Sequence, residues 1–194
     1  MTDYTALPEE LEAPADDGGA SHLPGRRLPS LSLRSTAGGS VDLGSLRGIN
    51  VLYLYPMTGR PGQPLPGGWN EIPGARGCTP QTCGFRDHFA ELRGFGVSDV
   101  FGISTQTTVY QREAAERLQL PFALLSDADA ELAEMLDVPT FDVEGETLFK
   151  RLTMVVREGE IVKVFYPVFP PDQNAGEVAE WLEIQRVLWR VRTS

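Results

Sequence analysis

Residues 50–55 read Asn-Val-Leu-Tyr-Leu-Tyr, an almost wholly apolar run ended by Pro56. A strand covered on both faces carries such a run, because neither side of its pleat meets water. A central strand is therefore predicted there. Residues 97–104 predict a second central strand, and the stretch after it, with Val109, Ala114, Ala115 and Leu118, predicts a helix. Residues 122–125 read as another strand and residues 128–136 as a short helix. Residues 152–156 and 161–166 flank Arg157-Glu158-Gly159-Glu160, a hairpin signal with glycine in the turn. Val178, Trp181, Leu182 and Leu188 place an apolar stripe along a final helix. Strands alternating with helices, then a hairpin and a last helix, describe an α/β layered domain.

Two stretches break the rhythm. Residues 57–77 hold four Pro, six Gly and few aliphatics, so a long irregular loop is expected between a central strand and both cysteines. Loops of this length inside a compact domain are uncommon and often functional. Trp69 within it is expected to pack on the core rather than stack over a site. Residues 1–19 carry Asp3, Glu9, Glu10, Glu12, Asp16 and Asp17 with no basic residue, which predicts a mobile acidic tail over residues 1–22 and a domain over residues 23–194. No internal repeat is present.

Charge and composition narrow the function classes. The 194 residues hold 17 Lys and Arg against 27 Asp and Glu, a net charge of −10, which argues against a nucleic-acid surface. No run approaches the roughly 18 apolar residues of a membrane span, and the first twenty residues lack a signal-peptide pattern, so a cytoplasmic protein is expected. Two Cys are too few for a disulfide framework.

The chemistry concentrates at Gly77-Cys78-Thr79-Pro80-Gln81-Thr82-Cys83. Thr79 before Pro80 reads as a helix cap followed by proline at the first helical position. Phe85, Phe89 and Leu92 continue at helical spacing until Gly94 or Gly96. Cys78 then sits just ahead of a helix N-terminus, where free N–H groups and the positive dipole end favour a thiolate. Cys83 follows five residues later, and five helical residues rise about 7.5 Å and turn about 140°. A disulfide needs Cα atoms within about 7 Å, so this pair bonds only if the first turns unwind. Zinc binding is the competing use of two Cys, but only His22 and His88 accompany them, and His88 reads as a surface side chain.

Four blocks carry a family resemblance: Leu54-Tyr55-Pro56, Gly77-Cys78-Thr79-x-Gln81-x-Cys83-Gly84-Phe85-Arg86-Asp87, Phe101-Gly102-Ile103-Ser104 and Leu125-Ser126-Asp127. Over residues 28–182 the chain resembles peroxiredoxins of the bacterioferritin comigratory protein, or Q, subgroup of the alkyl hydroperoxide reductase and thiol-specific antioxidant family. The resemblance implies a thioredoxin-like fold and reduction of hydrogen peroxide or organic hydroperoxides. It makes Cys78 the peroxidatic cysteine, Cys83 the resolving cysteine, and Arg151 the cation facing thiolate and peroxide, with Lys150 as the neighbour if the register slips by one. It puts Pro56 and Gly77 at the substrate. The chain departs from the family where a Thr or Ser is usual three residues before the peroxidatic Cys, since Ala75 stands there, and Glu71 replaces a proline. Thr58 and Thr79 are the candidates for the missing hydroxyl. Phe169, Pro170 and Pro171 are expected to border an active-site mouth or a partner surface.

The resemblance implies no cofactor and no metal. Its expected partners are a hydroperoxide and thioredoxin or a similar dithiol, with neither nucleic acid nor membrane, in a monomer or homodimer. A thioredoxin-like disulfide exchanger or redox sensor, and a non-catalytic binding module of the same fold, stand as alternatives.

Overall fold

The computed structural model describes residue 7 and residues 11–192 of the chain. A seven-stranded sheet forms its centre, built from β1 (Ser32–Ser35), β2 (Ser40–Asp42), β3 (Ile49–Leu54), β4 (Val97–Ser104), β5 (Leu124–Ser126), β8 (Leu152–Arg157) and β9 (Glu160–Phe165). Their order is β2-β1-β5-β4-β3-β8-β9, with β3, β4 and β5 parallel and the other pairs antiparallel. A separate hairpin joins β6 (Thr140–Val143) and β7 (Glu146–Phe149). The helices are α1 (Cys78–Asp87), α2 (Phe89–Gly94), α3 (Thr108–Arg117), α4 (Glu131–Leu136) and α5 (Asn174–Arg192). This is the mixed α/β architecture that the alternation of patterns predicts.

Alternation along β3 divides the core. Leu52 and Leu54 join Ile103, Leu125, Met154 and α4's Leu132 on one face. Val51, Tyr53 and Tyr55 point the other way, towards Phe85 of α1, Leu92 of α2, Ala114 of α3 and Val178 of α5. Gly102, at the centre of the Gly-Ile-Ser block, pairs with Tyr53, and a Cβ there would stand 2.5 Å from the Tyr53 ring. The glycine leaves room for that ring, which stacks on Phe85 with centroids 4.5 Å apart and so ties α1 to the sheet. Asp127 of the Leu-Ser-Asp block is buried and accepts from Glu131 N and Leu132 N, both at 2.9 Å, fixing the start of α4. Desolvation pushes its carboxyl above the usual range against the pull of these two N–H groups.

Several sequence expectations need correction. The short pairs β1–β2 and β6–β7 were not expected. The strand expected over residues 122–125 lies at Leu124–Ser126, and the helix expected over residues 128–136 starts at Glu131. Val109 is 75% exposed, because the buried face of α3 belongs to Ala114 and to Gln111, whose amide nitrogen donates to Ser104 Oγ and the Leu125 carbonyl, both at 2.9 Å, beside Tyr55 Oη at 3.3 Å. Leu188 is likewise exposed, while Val178 and Leu182 are buried. Trp181 is half-buried and meets Trp189 edge to face.

The acidic segment departs furthest from expectation. Residues 1–6 and 8–10 lie outside the described residues, but residues 11–22 pack on the domain. Asp17 accepts from Lys150 Nζ at 2.6 Å and from Tyr166 Oη at 2.7 Å, and Ala20 joins the core. His22 bonds the Leu136 carbonyl through Nε2 at 2.9 Å. A surplus of acids suggested a solvated tail, yet one carboxylate with a cation and a hydroxyl in reach is enough to seat the arm. The hydrogen bond from Lys150, then those from Tyr166 and Gly19, hold the Asp17 carboxyl far below the usual range. A lowered folded value means the contact contributes fully above the unfolded carboxyl value of about 4 and fades as acid protonates Asp17. Both partners are about two-fifths exposed, so solvent screens much of the gain. Protection of the residues 11–19 amides, taken as observed exchange relative to the intrinsic rate at each pH, is expected to hold from pH 7 to about pH 4 and to fall only in stronger acid, and Asp17→Asn should show the lowered protection already at pH 7.

Candidate active site

Gly77 sets the entry to α1. Its φ of 100° lies in the left-handed region, which glycine tolerates, and it stands at the N-cap with no side chain to cap the helix. A Cβ on Gly77 would come within 2.5 Å of Pro171, so the apolar turn at residues 169–171 does press on the start of α1. Cys78 is then the first helical residue, and the first helical bond runs from Gln81 N to the Gly77 carbonyl at 3.0 Å. Thr79 is therefore not the cap but lies inside the first turn, 2% exposed. Pro80 falls among the first N–H positions that have no helical acceptor, so its missing donor breaks no bond.

Cys78 is 3% exposed and a free thiol. Arg151, just before β8, is also 3% exposed and reaches it: Nη2 lies 3.2 Å from Sγ. The carbonyls of Gly74, Ala75 and Arg76 lie 3.0–3.3 Å from the same Nη2 and share its two N–H groups with the sulfur, and Nη1 donates to Gln81 Oε1 at 2.5 Å. The end of the loop and the first turn of α1 thus clamp the guanidinium where its fork faces sulfur. Lys150 is turned away to Asp17.

A cavity of about 20 Å³, room for one water-sized molecule, opens at Cys78 between Met57, Leu65, Trp69, Arg76 and Thr79. Trp69 is 3% exposed and packs with Ala75, Val143 and Leu148, so it serves the core and walls the cavity together. Behind Arg151 a larger space of about 250 Å³ is roofed by Pro14 and Ala15 of the arm and walled by Ile72, Phe141 and Tyr166.

The hydroxyl candidates separate. Thr58 is buried, but its Oγ1 meets Gln106 Oε1 at 3.2 Å, and Gln106 Nε2 and Tyr110 Oη hold its carbonyl. That clamp turns the Thr58 hydroxyl to Gln106. Thr79 lines the Cys78 cavity. Ala75 presents its carbonyl oxygen 3.6 Å from Cys78 Sγ. Pro56 is buried at the end of β3 and does not line the cavity, whereas Gly77 does.

Cys83 is half-buried on the same helix, also a free thiol. Burial pushes its thiol up, with Arg86 partly offsetting. An unbroken helix keeps residues five apart at roughly 8–9 Å between Cα atoms, too far to bond. Gln81, Asn174 and Thr153 complete the surroundings, all fully buried. Gln81 stands inside the cysteine block, and nothing in the sequence pattern pointed to the other two. Among the described residues no group of three or more His, Cys, Asp or Glu is placed to hold a metal ion, and no helix is long and apolar enough to cross a membrane.

Residues 23–180 match the redoxin family. Peroxiredoxin Bcp of Escherichia coli K12 is 33% identical over 165 residues, which cover 80% of this chain and 92% of that one. Chloroplastic peroxiredoxin Q of rice (Oryza sativa subsp. japonica) is 31% identical over 161 residues, 82% of this chain and 66% of the rice protein's length. Among solved structures, peroxidoxin BcpB of Mycobacterium tuberculosis superposes with a TM-score of 0.67 at 26% identity, covering 83% of this chain and 96% of that one.

Proposed function

This chain belongs to the redoxin family, in its peroxiredoxin Q and Bcp branch, and we propose that it is a thiol peroxidase with Cys78 as nucleophile and Cys83 as resolving cysteine. The observation that carries the reading is the 3.2 Å contact between Arg151 Nη2 and Cys78 Sγ at a helix start beside a cavity.

The chemistry runs in two stages. The Cys78 thiolate attacks the terminal oxygen of ROOH, the S–O bond forms as O–O breaks, and RO⁻ leaves to take a proton as ROH. The Arg151 fork donates to sulfur in the ground state and is placed to meet negative charge as it spreads to oxygen. Cys78 is left as a sulfenic acid. Cys83 then attacks that sulfur, S–S forms, and hydroxide leaves to become water. Because the helix holds the cysteines apart, residues 78–83 must unwind first, which also exposes Cys83 and relieves the burial that keeps it a thiol. Thioredoxin or a similar dithiol returns both thiols by exchange. We place this cycle in the cytoplasm, with hydrogen peroxide and small organic hydroperoxides as substrates.

Cys83→Ser tests the second stage. Reduction of the first equivalent of peroxide is expected to survive within about twofold, while steady turnover with thioredoxin falls at least about tenfold. Unchanged turnover would contradict the intramolecular disulfide. A disulfide exchanger acting on a partner would instead react with protein disulfides and show only ordinary thiol reactivity towards peroxide.

A further inference from the structure

Gln81 lies between the two cysteines, and its side chain is the middle of a buried chain of hydrogen bonds. Its Oε1 accepts from Arg151, and its Nε2 donates to Asn174 Oδ1 at 3.0 Å. The same Asn174 oxygen accepts from Thr153 Oγ1 at 2.6 Å. Asn174 is the first residue of α5, fully buried, and among the described residues its Nδ2 has no hydrogen-bond partner. All that this side chain holds, it holds through one oxygen. Its neighbours on α5, Ala175 and Val178, pack in the apolar cluster behind the sheet, where an amide with an orphaned donor is a liability. What the oxygen holds is the one visible reason for an asparagine there.

We propose that Asn174 is a positioning residue that locks the helical form of residues 78–83, keeping Arg151 on Cys78 during peroxide attack and delaying disulfide closure afterwards. This rests on the peroxidase reading. Attack proceeds from the helical form, in which Gln81 fixes the guanidinium; closure proceeds from the unwound form, which that geometry forbids to Gln81. When residues 78–83 unwind, the Gln81 bonds to Arg151 and to Asn174 break together. Asn174 can bear this load because α1 lies hard against its neighbourhood: a Cβ on Gly84 would stand 3.1 Å from the Asp172 carbonyl oxygen. Thr153, on β8 two residues beyond Arg151, holds the oxygen in aim. A group that stabilises one of two forms speeds the step that uses it and slows the step that uses the other. Loss of the lock therefore moves the two rates in opposite directions, which a general loss of packing does not do.

The test follows both steps in the full-length reduced protein, mixed with hydrogen peroxide and quenched with a thiol-blocking reagent for mass analysis. Asn174→Ala is expected to lower the second-order rate of Cys78 oxidation about tenfold, and to raise the first-order rate of disulfide closure about tenfold, the scale of a lost buried hydrogen bond. Sulfinic acid on Cys78 at excess peroxide should fall, because faster closure removes the sulfenic acid. Thr153→Val leaves Asn174 and both cysteines in place and should shift the two rates in the same senses by about threefold; it carries the test if Asn174→Ala does not fold. Two rates that fall together, or neither changing while the unaltered protein shows both phases, would overturn the lock. An unaltered protein no faster with peroxide than free cysteine would overturn the peroxidase reading, and the lock with it.

Discussion

Cys78→Ser is expected to abolish rapid peroxide reduction, with the rate falling by at least about 10³. Serine fills nearly the same space, so the first turn of α1, the cavity and the Arg151 clamp should persist. What is lost is the polarisable sulfur, since a hydroxyl at this position offers no comparable nucleophile at neutral pH. The variant still carries Cys83, so its residual rate is that of a half-buried thiol which burial keeps protonated. That residue should be slower than a free cysteine. Peroxide consumption by the reduced variant, followed against added cysteine as a standard, checks both statements. A variant that kept more than about a tenth of the original rate would move the nucleophile elsewhere.

The second large effect is expected at Arg151. Replacing it with methionine keeps much of the volume but removes the donors facing Cys78 Sγ, Gln81 and the carbonyls of Gly74, Ala75 and Arg76. Loss of one preorganised donor at a developing oxyanion commonly lowers rates 10²- to 10³-fold, and a fall of that size in the second-order rate with peroxide is expected. Lysine should rescue little, because one ammonium cannot span the sulfur and the Gln81 oxygen as a planar fork does. Stability falls too, since buried acceptors lose their donor at about 1–3 kcal/mol each. Urea unfolding of both variants measures this separately, so a rate loss in protein that is still folded belongs to the chemistry. Methionine at 151 with an unchanged rate would remove Arg151 from the mechanism.

The parts of this fold that were legible are those whose pattern depends on one element alone. The runs at β3 and β4 are apolar because both faces are covered, and the β8–β9 turn announces itself through Glu158 and Gly159, both at positive φ. Glu144 and Gly145 make the same turn between β6 and β7, a signal of equal form that the surrounding polarity hid. The β1–β2 pair is short, polar and at the sheet edge, where exposed alternate positions blur the strand pattern. Thr79-Pro80 imitates a cap and first turn, but the left-handed Gly77 starts the helix two residues earlier than that reading allowed.

The site was legible in the same uneven way. The cysteines and the helix start are local, so spacing and capping exposed them. Arg151 stands 73 residues from Cys78 and could be paired with it only through the family resemblance. Gln81 was in view but without a role, and the roles of Thr153 and Asn174 depend on β8 and α5 meeting α1. The partner of the Thr58 hydroxyl, Gln106, lies 48 residues away, where no local spacing shows it. Charge alone puts Asp17 in a solvated tail, because its partners Lys150 and Tyr166 lie 133 and 149 residues along the chain. Composition sees the charge and not the partner.

The most direct measurement uses Cys83→Ser protein, in which the first product is held. Reduced protein is mixed with one equivalent of hydrogen peroxide, sulfenic acid is trapped with a carbon nucleophile, and the modified peptide is mapped by mass as a function of time. The account predicts a single adduct on Cys78, formed orders of magnitude faster than free cysteine reacts. No adduct on Cys78, or one formed at the rate of a free thiol, would contradict it.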